Sequence, residues 1–139
     1  MSSFAWSLHP QLACDTVAIG ELALSRVLAM NDASYPWLVL VPRRAGTVEI
    51  IDLDAPERMA LMAEIAQACA ALKALTQCDK LNVAAIGNVV PQLHVHVVAR
   101  HRDDPAWPRP VWGAAPPRPY AAAELQDFIS TVRRAIGLA

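Results

Sequence analysis

A chain of 139 residues with 55% hydrophobic content carries enough apolar mass for one compact core, and a single domain spanning residues 1–139 is expected. Its formal net charge of −1 argues against bulk electrostatic binding to nucleic acid or to an anionic membrane. Three isolated cysteines, Cys14, Cys69 and Cys78, fit reduced thiols of a cytoplasmic protein better than a disulfide framework. Neither a secretory leader nor an uninterrupted run of about 20 apolar residues stands out, so no membrane span is expected.

In chain order, the stretch from Phe4 to Asp15 has aromatic anchors but no period and reads as a loop or short turn. Thr16–Ile19 and the alternating stretch from Leu22 to Met30 read as strands. Asn31–Pro36 is a turn by composition. The apolar run Trp37–Val41 reads as a central strand buried on both faces. So short a turn predicts an antiparallel hairpin between these last two strands. A further short strand is expected around Val48–Ile51. Asp54–Thr76 is the clearest helix: Asp54 caps it, Pro56 suits the first turn and Glu57 completes a capping box. Its expected inward stripe is Met59, Met62, Ile65, Ala66, Cys69, Leu72 and Leu75.

Lys80–Ile86 reads as a strand, Gly87-Asn88 as a turn or bulge, and Gln92–Arg100 as the next strand. Residues 101–119 hold six of the eleven prolines, together with Trp107 and Trp112. No regular element is expected there, and the tryptophans predict a tail packed on its own domain. Ala121–Ile136 closes the chain as an amphipathic helix stopped by Gly137. The fold class expected is α+β, with a mainly antiparallel sheet of about five strands and two main helices.

Chemistry concentrates in Gln92-Leu93-His94-Val95-His96-Val97-Val98. On a strand, Gln92, His94 and His96 share one face while Leu93, Val95 and Val97 anchor the other. Such a face supports three readings. Two imidazoles can ligate a divalent ion, although His9 and His101 are the only further histidines and nothing in their spacing nominates either as a third ligand. One imidazole can act as a nucleophile beside a donor. Or the histidines are half-exposed strand residues that merely bind a ligand, or nothing.

The same residues resemble the signature of the histidine triad (HIT) family, three histidines alternating with apolar residues. Gly87-Asn88-Val89-Val90-Pro91 resembles that family's lead-in, and Trp37–Arg44 its apolar strand ending in proline and a basic residue. The tail around Asp104–Pro108 and Val111–Gly113 resembles a bacterial subgroup. The resemblance implies a HIT-like fold and a nucleotidyl hydrolase or transferase that cleaves nucleotide phosphoanhydride or phosphoramidate bonds, as a dinucleoside polyphosphate hydrolase does. It implies no obligatory metal or other cofactor, a nucleotide substrate and a homodimer. His94 is then the nucleophile that forms a nucleotidyl-histidine intermediate, and His96 touches phosphate oxygen and assists the leaving group. Gln92, Asn88 and Asn31 are the implied substrate-binding residues, Asn31 toward the ribose. Two departures stand out: Gln92 occupies the first triad position, and Trp37 stands where many relatives have histidine. Glutamine cannot titrate, so a nucleotide-binding protein with weak or no catalysis is the main alternative, and a metal-binding module the third. Arg43, Arg44, Arg100 and Arg102 are further phosphate candidates, each also readable as a solvated strand-end residue.

Overall fold

Alternation along five strands divides the molecule into two unlike halves. The computed structural model describes residues 5–138; Phe4 of the expected N-terminal loop lies outside the described residues. The strands are β1 (Thr16–Glu21), β2 (Ser25–Met30), β3 (Trp37–Pro42), β4 (Lys80–Ala84) and β5 (Val95–Arg100). They form one antiparallel sheet in the order β1-β2-β3-β5-β4. The expected hairpin is present, with Ser25 opposite Pro42 and Ala29 opposite Leu38.

One face is closed by two helices, α2 (Ala55–Thr76) and α3 (Ala122–Ile136). Val27, Ala29, Leu38, Leu40, Val95, Val97 and Ala99 point into this layer and meet Leu61, Ile65, Ala68 and Leu72 of α2 and Ile129, Val132 and Ile136 of α3. Each fully buried valine or leucine there contributes roughly 1.5–3 kcal/mol. The expected capping box starts α2, with the Asp54 carboxylate accepting from the Glu57 N–H and the Glu57 carboxylate from the Asp54 N–H, each at 2.9 Å. Gly137 ends α3 in the left-handed region, as expected.

The inward stripe of α2 differs from expectation. Leu61, Glu64, Ile65, Ala68, Ala71 and Leu72 face the sheet, while Met59 and Met62 are 75% and 65% exposed. The helix is apolar around most of its circumference, so composition alone does not set its rotation. Glu64 helps to set it: its buried carboxylate accepts the Leu24 N–H at 2.8 Å and the Ser25 N–H at 3.0 Å, tying α2 to the turn before β2. By length and composition α2 would also suit a membrane span, yet this face is committed to the sheet. The strand expected at Val48–Ile51 is instead a loop leading into a single 3₁₀ turn, Ile50–Asp52. There the Asp52 carboxylate accepts the N–H groups of Val48 and Glu49, which removes them from any ladder.

The other face is closed by α1 (Pro10–Asp15) near the N-terminus and by the proline-rich segment that follows β5. From Ala5 the chain is a loop only as far as His9 and then winds into α1. Pro10 starts this helix, and the His9 Nδ1 accepts the Gln11 N–H at 3.0 Å. Leu12 of α1 and Ala106 and Val111 of the proline-rich segment pack on Leu28, Trp37, Val39, Val41 and Val98. That segment has turns but no helix or strand. It is tied down by Arg100, which is 2% exposed and bound to Asp104 at 2.7 and 3.0 Å. Trp107 lies against the same guanidinium, at 5.6 Å.

Candidate functional site

β5 begins at Val95, three residues later than expected, so Gln92 and His94 precede the ladder rather than sit on it. His94 and His96 still stand together, with ring centroids 4.9 Å apart, and both are buried. Antiparallel pairing sets Val39 opposite His96 and Trp37 opposite Val98, which brings the Trp37 indole diagonally onto His96.

The hydrogen-bond partners of the two rings assign their protons. The His94 Nδ1 lies 2.7 Å from the Gln92 carbonyl oxygen. A carbonyl only accepts, so Nδ1 carries the proton and the lone pair of the neutral ring is on Nε2. For His96 the order is reversed. The Trp37 indole N–H, which can only donate, is 3.0 Å from the His96 Nδ1. That nitrogen therefore holds the lone pair and Nε2 the proton. Burial, followed by the neighbouring His94, lowers the His96 pKa from 6.5 to about 4. As neutral rings the pair thus sets a free Nε2 lone pair on His94 beside an Nε2–H to donate on His96.

Two cavities meet at His94. One, of about 420 Å³, is walled by Gln11, Leu12 and Asp15 of α1, Met30, Trp37, Gly87 to Val90, His96 and Trp112. The other, of about 230 Å³, lies between Val48 to Ile51 and Ala85 to Gly87, with Gln92 and Leu93 at its edge. Gly87 adopts a positive φ of 68° in the loop between them, a turn that favours glycine. Beyond Trp112 and Met30 a third hollow is lined by Asn31, Asp32, Val111 and Pro117.

The expected site residues separate on this geometry. His94, His96 and the exposed Asn88 border the same cavity. Asn31 lines the adjoining hollow, and its Oδ1 accepts the Tyr120 N–H at 2.9 Å. Gln92 is not in register with the histidines. Its Oε1 accepts the His9 N–H at 2.8 Å and its Nε2 donates to the Ser7 carbonyl at 2.9 Å, so its amide holds the N-terminal segment.

Three of the four candidate arginines are committed elsewhere. Arg43 donates to the Leu22 and Ala23 carbonyls, Arg44 pairs with Glu57, and Arg100 binds Asp104 and Asn82. None of the four arginine candidates lines these cavities. The His101 Nε2 is 3.1 Å from the Thr76 carbonyl, and His9 caps α1. Among the described residues no three His, Cys, Asp or Glu side chains converge on one point.

Sequence reasoning missed the α1 wall and the placement of Trp112. The Trp112 ring stands 5.2 Å from His96 and 5.9 Å from Trp37. The strand register would have placed Trp37; nothing local marks Trp112 or α1 as cavity walls.

Comparison with known proteins gives this site relatives. The family model described as HIT domain matches residues 11–103. A histidine triad protein from Bradyrhizobium japonicum is 59% identical, with 95% of this chain and 98% of that one covered and a TM-score of 0.93. One from Marinobacter aquaeolei is 41% identical (97% and 98% covered, TM-score 0.94), and one from Sinorhizobium meliloti is 39% identical (94% and 96% covered, TM-score 0.92). No curated protein matches the chain.

Proposed function

The chain belongs to the HIT domain family, and from that premise we propose that it is a nucleotidyl hydrolase or transferase working through a covalent nucleotidyl intermediate on His94. The opposed tautomers of the two histidines carry this reading. The Gln92 carbonyl keeps the His94 proton on Nδ1, which leaves Nε2 free to attack an α-phosphorus in line. The bond to the leaving group breaks as the N–P bond forms. The Nε2–H of His96 donates to a phosphoryl oxygen on which charge accumulates. Water then attacks the same phosphorus, and His94 departs as a neutral imidazole.

The larger of the two cavities that meet at His94 suits the nucleoside, with Met30, Trp37 and Trp112 as apolar walls. Asn88 is placed for phosphate at its mouth, and the free side of the Asn31 amide for the ribose. Gln92 contributes through its backbone carbonyl, so its inability to titrate does not disable the nucleophile. We place the protein in the cytoplasm as a homodimer. β4 is an edge strand with Val83 46% exposed, and Ile51, Met59 and Met62 are exposed apolar residues suited to a second copy. Light scattering would give the oligomer mass.

Incubation with dinucleoside polyphosphates, nucleoside phosphoramidates and a nucleoside monophosphate aryl ester tests the activity. Turnover of at least one, lost about 10³-fold or more in His94→Ala, is expected. Nucleotide affinity without turnover in either form would instead fit the binding-protein alternative.

A further inference from the structure

We infer that Trp37 is a positioning residue that locks His96 as a neutral donor, so the site cannot protonate a leaving group through His96 and takes substrates whose leaving group departs as a stable anion. This rests on the nucleotidyl-transfer reading above and narrows its substrate class.

An imidazole can act as an acid only if it first carries two protons. The second proton would have to sit on the His96 Nδ1, where the Trp37 N–H already points, 3.0 Å away and buried. Protonation there would set two N–H groups against each other, and the indole has no other role to switch to. Giving up the single Nε2 proton would leave an imidazolate, which is out of reach near neutral pH. The indole packs edge-to-face with Tyr35, at 6.3 Å between ring centroids, and with Trp112, at 5.9 Å.

The surrounding groups do little to promote a second proton. His94 lies beside His96, and among the described residues Asp15 of α1 is the one carboxylate on the wall of their shared cavity. Tyr35 stands behind Trp37, β4 meets His96 with Ala84, and Arg100 along β5 is neutralised by Asp104. The residues flanking Trp112, Val111 and Gly113, bring no titratable group. Burial together with the His94 ring lowers the His96 pKa to about 4, in the same direction as the Trp37 contact.

The consequence falls on the leaving group. When the His94 Nε2 attacks phosphorus, the electron pair of the breaking bond stays with the departing atom. A phosphate, carboxylate or aryl oxide accepts that pair as a stable anion and needs no proton. An alkyl amine bound to phosphorus would depart as an amide ion unless it is protonated first, and His96 has no proton to spare. Overall, a nucleoside monophosphate anhydride or aryl ester and water give the nucleoside monophosphate, the leaving anion and one proton released to solvent.

Two measurements test this. Long-range proton–nitrogen spectra of the ¹⁵N-histidine-labelled protein should show the His96 Nδ1 unprotonated from pH 5 to 9, and Trp37→Phe should move its titration upward. In parallel, kcat/KM is compared for an aryl ester and an alkyl phosphoramidate of one nucleoside monophosphate. The wild type should favour the ester by about 10²-fold or more, the size of a missing acid. Trp37→Phe should narrow that ratio at least about tenfold and add a pH limb for the phosphoramidate alone. Equal rates on the two substrates, or a protonated His96 Nδ1 at pH 6, would overturn the inference and leave the nucleotidyl-transfer reading intact. Absence of turnover on both would strike that reading, while the nitrogen spectra still decide the state of His96. Should Trp37→Phe fail to fold, the wild-type spectra and substrate ratio suffice.

Discussion

The two faces of the sheet are made from the same strands yet serve different ends. Toward α2 and α3, alternate residues such as Leu38, Leu40, Val95 and Val97 are 0–2% exposed and wholly apolar. The buried carboxyl group of Glu64 in that layer is satisfied by two backbone N–H groups. Toward α1 and the proline-rich segment, the residues between them include Trp37, His94, His96 and Arg100, each buried and each held by a directional partner. Non-directional burial fixes the first face. The second is fixed by hydrogen bonds that also decide where protons sit, and β5 supplies both in a single strand. Stability and chemistry are therefore separable here, and substitutions can be chosen to break one without the other.

The largest stability effect is expected on the histidine face. Asp104→Ala leaves the Arg100 guanidinium buried without its main partner, which should cost about 4 kcal/mol in denaturant unfolding and free residues 101–119 to exchange amide hydrogen. Leu38→Ala, on the helical face, should cost about 3 kcal/mol through the cavity it leaves. Its folded fraction should keep an unchanged KM, and a changed KM would mean the faces are coupled.

On the histidine face acid should act through His96. The folded His96 pKa of about 4 lies below its ordinary value of 6.5, so the unfolded chain takes up the proton first. Stability should be complete above about pH 6.5 and fall by about 3 kcal/mol as the pH drops toward 4. In His96→Gln this part of the pH dependence should vanish. The smallest change is expected for Gln92→Ala. It removes two hydrogen bonds to residues 7–9, worth about 1 kcal/mol each. KM should rise a few-fold as the α1 wall loosens, with kcat nearly unchanged.

The helical face could largely be read in advance. Apolar alternation marked the strands, and Asp54 with Glu57 marked the start of α2. The rotation of α2 could not, because its apolar residues cover most of the helix and the deciding contact, Glu64 to the turn before β2, spans about 40 residues. On the other face the paired histidines were plain, since two histidines among valines are a local signal. Their protonation was not. It depends on Trp37, 59 residues before His96. Likewise Gln92, expected beside the histidines, turns to Ser7 and His9 because its side chain satisfies backbone groups more than 80 residues away. Arg100 resembled an exposed strand end, yet Asp104 folds back one turn later and buries it.

The central claim is the covalent step at His94. Mixing the protein with a nucleoside monophosphate aryl ester, quenching in alkali within the first turnovers and mapping the peptides by mass spectrometry tests it directly. The account predicts a nucleoside monophosphate adduct on the His94 peptide that decays as product appears and is absent from His94→Ala. Turnover that proceeds with no adduct, or that survives in His94→Ala, would contradict it.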